Sequence, residues 1–207
     1  MFKYVIFDWS GPIKEVVDSH YWVVSRMFEE LGVKEISIQE MRENWEQPYM
    51  IFWQKYHPGM TLQEEQNLYY KIIARKDCPK PSVYGGIVEL IKKLKKKNVS
   101  MVVLSSDPTG TLFSELKIFG LENVFDDIMS NIHDKAEEIH KLIERNNFKK
   151  EETVFIGDSN HEVEVGRDAG IKTIAVTWGF CTEEKLKATS PDYLVHNIKE
   201  LEEVLLK

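Results

Sequence analysis

Two apolar runs of this sequence end in aspartate: Asp8 closes "KYVIFD" (3–8) and Asp158 closes "ETVFIGD" (152–158). A third run, "VSMVVLSS" (99–106), ends in Ser105 and Ser106, and Lys135 opens a helical pattern further along. Together these side chains offer a nucleophile, hydroxyl donors, a cation and a second carboxylate. Two carboxylates at neighbouring strand ends make a hard oxygen site suited to Mg²⁺, which takes a few carboxylates and leaves its other positions to water and substrate oxygens. Lysine and hydroxyl donors suit the oxygens of a phosphoryl group.

The elements that would carry these residues are legible as a pattern. The three runs and a fourth, "IKTIAVT" (171–177), are rich in β-branched residues and almost continuously apolar, as expected of strands buried on both faces of a parallel sheet. Amphipathic helical patterns lie between them, over Val83 to Lys97, Thr109 to Phe119, Lys135 to Asn147 and His161 to Ala169. Strand and helix therefore alternate, which predicts an α/β fold with a Rossmann-like, doubly wound parallel sheet. In such sheets ligands sit beyond the carboxyl ends of the strands, where Asp8, Ser105 and Asp158 fall. Gly170 is placed to cap the helix before it.

Residues 14–82 break the alternation. "YWVVSRMFEELG", "IQEMRENWEQPYMIFWQKY" and "TLQEEQNLYYKIIARK" carry helical periodicity and no convincing strand, so the segment reads as an inserted α-helical cap. "CPKPS" (78–82) is the linker back, and the core comprises residues 1–13 and 83–207. Trp45, Tyr49, Phe52, Trp53 and Tyr56 recur at helical spacing and are expected to pack between cap helices, with a minority lining a pocket.

Composition excludes several classes. The 207 residues suffice for one domain, or one domain with an insertion, and 43% hydrophobic with 29% charged residues is a globular balance. A net charge of −7 argues against a nucleic-acid or anionic-membrane surface. The basic run "KKLKKK" (92–97) reads as the solvated face of a helix whose Ile91 and Leu94 point inward. Cys78 and Cys181 lie far apart with no metal-ligand spacing. With neither a signal-like segment nor a membrane-length apolar stretch in view, a reducing cytoplasmic compartment is the expectation.

The order and spacing of these residues resemble the haloacid dehalogenase superfamily of aspartate-nucleophile hydrolases, in its phosphoglycolate phosphatase and β-phosphoglucomutase-like branch with a helical cap. "FDWSGP" (7–12) is similar to the first motif, "VVLSS" to the second, Lys135 in "HDKAEEI" to the third, and "IGDSNHEVEVGRDAGIKTIAVTWG" to the fourth. The resemblance implies a Mg²⁺-dependent phosphatase of a small phosphorylated metabolite, working through an aspartyl-phosphate on Asp8. It makes Asp8 nucleophile and metal ligand, Asp158 a metal ligand, Glu162 a ligand or holder of the metal's water, and Ser10 a ligand through its backbone carbonyl. Ser105, Ser106 and Lys135 become phosphate-binding, and Lys135 also the charge that orients Asp8. Lys141 is the alternative lysine for the third motif.

Ser10 departs from this pattern. The phosphatase branch carries aspartate there as general acid and base, and a serine hydroxyl does not titrate near neutrality, so a contribution of roughly 10² to 10⁴ in rate lacks its usual source. Pro12 is a second departure. Turnover is therefore expected to favour leaving groups that need no proton, and Ser10→Asp to raise kcat. His20, on the first insertion helix, reads either as a proton relay or as an ordinary helix histidine. The alternative from another class is a weakly active or non-catalytic relative that binds a phosphorylated ligand or a protein. A phosphonoacetaldehyde hydrolase-like reading would need a Schiff-base lysine, for which Lys55 is the nearest candidate, and a haloacid dehalogenase-like reading would need no metal.

Overall fold

The computed structural model describes residues 1–45, 49–132 and 134–207. Its strands are β1 (Tyr4–Phe7), β2 (Lys14–Glu15), β3 (Ser82–Val83), β4 (Ser100–Leu104), β5 (Asp127–Met129), β6 (Thr153–Gly157), β7 (Lys172–Val176) and β8 (Tyr193–Val195). The helices are α1 (Val17–Leu31), α2 (Ile38–Asn44), α3 (Met50–Tyr56), α4 (Leu62–Ile73), α5 (Ile87–Lys96), α6 (Thr109–Ile118), α7 (Lys135–Arg145), α8 (Asn160–Asp168), α9 (Glu183–Ala188) and α10 (Ile198–Leu206). Six strands form a parallel sheet in the order β5-β4-β1-β6-β7-β8. This is the α/β, doubly wound architecture that the alternation predicts.

The period of two along each strand sends neighbours to opposite faces. Val5 and Phe7 of β1 join Met101, Val103, Val154 and Ile156 in one core, which α5, α6 and α10 cover. Ile6 joins Val102, Leu104 and Phe155 in the other, which α7 and α8 cover. Both faces being dry, the strands read as continuous apolar runs rather than as alternating ones.

Two sheet strands escape the sequence pattern. β5 and β8 are three residues long and mostly half-buried, too short for a pattern to register. The helix expected from Val83 begins at Ile87, because Val83 pairs with Lys14 and Gly86 turns the chain at φ 90°. Gly170 has φ 75° after α8, and its N–H donates to the Arg167 carbonyl, as a C-terminal cap requires. On α5 the basic run is laid out as expected, with Ile91 and Leu94 buried while Lys93 and Lys95 pair with Glu202 and Asp126 at the surface.

The chain divides into two compact units, Met1–Glu15 with Ser82–Lys207, and Val16–Pro81. Both boundaries differ by a residue or two from those expected at 13 and 83, because the β2–β3 ribbon draws Lys14, Glu15 and Ser82 into the sheet unit. The other unit holds α1 to α4. Within it Phe28 of α1 stacks on Phe52 at 6.1 Å and meets Trp53 and Tyr56 of α3 at 5.7 and 5.2 Å. Residues 46–48 of the aromatic-rich segment and His133 of the "HDKAEEI" motif lie outside the described residues. Among the described residues no helix is long and apolar enough to cross a membrane.

Candidate active site

Asp8 is the first residue past β1, and its N–H continues the ladder to the Ile156 carbonyl at 2.9 Å, so the sheet itself aims the side chain. Its Oδ1 accepts the Trp9 N–H at 2.7 Å, and its Oδ2 lies 3.0 Å from Lys135 Nζ. Lys135 reaches it from the first turn of α7 and also donates to Glu162 Oε1 at 2.9 Å. Glu162 is fixed by the start of its own helix. Ser159 caps α8, and Ser159 N–H and Oγ both donate to Glu162 Oε2. The same "DSNHE" segment thus starts a helix and aims a carboxylate.

Asp158 follows β6, and its Oδ2 accepts the Phe180 N–H at 2.6 Å. Backbone crowds it on two sides. A Cβ placed on Gly11 would fall 2.1 Å from Asp158 Cγ, and one on Gly179 would fall 2.2 Å from Asp158 Cβ. Gly11 also has φ 104°, where a side chain is strained whatever the space. The "SGP" turn is therefore glycine for two independent reasons.

One oxygen from each of Asp8, Asp158 and Glu162 lies within 4.8 Å of the others, and the three residues are 3 to 7% exposed. Three carboxylates share one ammonium in this cradle, and the imbalance shows in their titration. Burial pushes Asp8 up to about 7 despite Lys135. Burial, then Glu162 and Asp8, push Asp158 well above the carboxylate range. Burial also opposes the charge of Glu162, yet Lys135 and the Ser159 hydroxyl hold its carboxyl low. Lys135 pays a burial penalty as well, but Asp8 and Glu162 outweigh it and keep the ammonium protonated. A buried, all-oxygen set short of positive charge fits a hard divalent cation.

Ser105 and Ser10 meet on one carboxylate that the motif reading passes over. Ser10 Oγ and Ser105 Oγ each donate to Asp107 Oδ2 at 2.8 Å, and Asp107 N–H donates to Ser105 Oγ at 3.0 Å. Lys14 Nζ stands 3.5 Å from the other Asp107 oxygen and 2.7 Å from Glu115, whose second oxygen accepts the Trp9 indole N–H at 2.7 Å. In sequence, Asp107 precedes Pro108 at the head of α6 and looks like a turn residue. Lys14 falls within the expected insertion, whereas the structure places it in the sheet unit.

The remaining candidates separate clearly. Ser106 is exposed, outside this hydrogen-bonded set. Lys141 sits at the surface between Glu137 and Glu138, which leaves Lys135 as the lysine at Asp8. Lys55 is exposed in α3, bonded to Asn44 and 5.8 Å from the centre of the Tyr56 ring. His20 belongs to the helical unit, its ring edge-on to Trp45 at 4.5 Å, and burial pushes it down to about 4, so it is neutral near pH 7. Pro12 gives its carbonyl to the Trp178 indole at 3.4 Å.

A family model for haloacid dehalogenase-like hydrolases matches residues 5–176. The chain belongs to that family. It is 28% identical over 127 residues to pyrophosphatase PpaX of Halalkalibacterium halodurans, covering 59% of each chain. It is 27% identical over 128 residues to phosphoglycolate phosphatase of Synechococcus elongatus, covering 60% of each. The matched stretch thus spans about three fifths of these curated relatives. A haloacid dehalogenase-like family hydrolase of known structure from Streptococcus pneumoniae has the same fold, with a TM-score of 0.81 at 21% identity over 97% of this chain and 96% of that one.

Proposed function

We propose that the protein is a Mg²⁺-dependent phosphatase of a small phosphorylated metabolite in the cytoplasm, with Asp8 as its nucleophile. The observation that carries this reading is the Asp8 carboxylate, buried at a strand end, 3.0 Å from Lys135 and clustered with Asp158 and Glu162. Asp8, Asp158 and Glu162, with the Ser10 carbonyl, would hold Mg²⁺, which supplies positive charge to the carboxylates and to phosphoryl oxygens. The relatives named pyrophosphatase and phosphoglycolate phosphatase support phosphoryl chemistry.

The chain's own residues then divide the work. An Asp8 oxygen forms a bond to phosphorus as the bond to the leaving oxygen breaks, and water later cleaves the aspartyl-phosphate. Lys135 fixes the orientation of Asp8 and favours its ionised form. Ser105 Oγ turns from Asp107 to a phosphoryl oxygen. Asp107, protonated from solvent, passes its proton to the Ser10 hydroxyl as that hydroxyl gives its own to the leaving oxygen, and the carboxylate so formed takes a proton by the same route from the attacking water. In this reading the acid/base carboxylate is not lost but delivered from a different loop.

A phosphate-release panel of metabolites with Mg²⁺, run on wild type and Asp8→Asn, tests the proposal. Release by wild type that falls by about three orders of magnitude or more in Asp8→Asn is expected. No release from any substrate, with Mg²⁺-dependent binding of phosphorylated ligands equal in both proteins, would establish the non-catalytic alternative instead.

A further inference from the structure

The aromatic stripe of the helical unit has two destinations. Phe52 and Tyr56 pack on Phe28 in the unit's core, and Trp53, which packs there too, joins Trp45 and Tyr49 in lining a cavity of about 290 Å³ together with Tyr69 and Tyr70 of α4. That volume lies at the small end of the roughly 300–1,000 Å³ typical of small-molecule sites. Glu65, 5% exposed in the first turn of α4, lines the same cavity.

A carboxylate is a costly thing to bury in such a place. Its partner is the Tyr49 hydroxyl at 3.4 Å, a long and weak bond, and no lysine or arginine among the described residues pairs with it or lines the cavity. Burial accordingly raises the Glu65 pKa, with only the Tyr49 bond opposing. His20, which also lines the cavity, is neutral near pH 7 and brings no positive charge. Five aromatic rings and one buried carboxylate, with no lysine or arginine among the described lining residues, are the complement of a compact positive charge with an apolar surface. A quaternary or alkylated ammonium offers both: its charge meets the carboxylate, and its methyl groups meet the rings without needing hydrogen bonds.

We propose that this cavity binds an organic ammonium cation, held between Glu65 and the rings of Trp45, Tyr49, Trp53, Tyr69 and Tyr70. All the lining residues belong to the helical unit, and the binding test does not depend on the phosphatase reading.

Tryptophan fluorescence of the whole protein, titrated with choline or tetramethylammonium chloride against sodium chloride at equal ionic strength, reads the binding directly. A saturable response to both cations is expected. Binding of 3,3-dimethylbutan-1-ol, the uncharged isostere of choline, is expected to be about tenfold weaker or worse. Glu65→Gln should weaken choline binding by a similar factor, and Tyr70→Ala, at a largely exposed ring, provides a second variant that leaves the core intact. No saturable response, equal affinity for the uncharged isostere, or unchanged binding in a folded Glu65→Gln protein would overturn the proposal. A parallel arm identifies the source of the ammonium. Phosphocholine turned over faster than ethyl phosphate, with the preference lost in Glu65→Gln, assigns it to a substrate; equal turnover alongside saturable choline binding assigns it to a separate ligand.

Discussion

Asp107 decides how the missing acid at position 10 is read. If it handles the proton, Asp107→Asn lowers kcat/KM, which reads the steps through departure of the leaving group, by roughly 10² to 10⁴ for alkyl phosphates and far less for p-nitrophenyl phosphate, whose leaving group needs no proton. Ser10→Asp should then restore activity in the Asp107→Asn background while adding little in wild type, where two carboxylates would crowd one spot. Steady-state kinetics on the four proteins checks both statements, and equal losses for the two leaving groups would refute the assignment. This revises the expectation that Ser10→Asp alone raises kcat. Asp8, Asp158, Ser105 and Lys135 were legible because each ends or begins an element in a fixed order. Asp107 was not, because an acid before proline is ordinary turn chemistry and only the folded loop brings it within 2.8 Å of Ser10.

The elements that aim these residues are held by few tolerances. Gly11→Ala must relieve a 2.1 Å approach to Asp158 at a backbone angle no side chain favours, so it should destabilise the fold by about 1–3 kcal/mol or more and weaken Mg²⁺ binding. Thermal melts with and without Mg²⁺ measure both, and a Tm within error of wild type would show that the turn yields. Strands β1, β4, β6 and β7 could be read from continuous apolar runs, since each is buried on both faces. Strands β5 and β8 could not, since three residues give no period to see. The ribbon of β2 and β3 was hidden for the same reason, which is why the expected boundary of the insertion misplaced Lys14.

At the scale of the whole molecule, the buried carboxylates make stability depend on pH. Asp8 titrates at about 7 in the folded chain against an ordinary 3.8, so between those values the folded state holds a proton that the unfolded chain has released. Its stabilising contribution is present below about pH 4 and is lost as pH rises through about 7. Asp158 acts in the same sense, while Glu162, held low, acts in the opposite one. A divalent cation bound in the cradle would take the proton's place. Saturating Mg²⁺ should therefore raise Tm more at about pH 8 than at about pH 5. Calorimetry at the two values tests this, and an equal rise would place the bound ion elsewhere.

The ribbon also carries a consequence for how such a chain can change. Lys14 pairs with Val83 and Glu15 with Ser82, so everything from Val16 to Pro81 departs and returns through adjacent, hydrogen-bonded backbone. Topologically the helical unit is the loop of a hairpin, and a loop can be rewritten without disturbing the register of the strands that close it. An Asn-Gly turn joining Glu15 directly to Ser82 should leave a sheet unit that still melts cooperatively. For a lineage, the same joint is a place where one module can be exchanged for another while the carboxylates of Asp8, Asp158 and Glu162 are inherited unchanged.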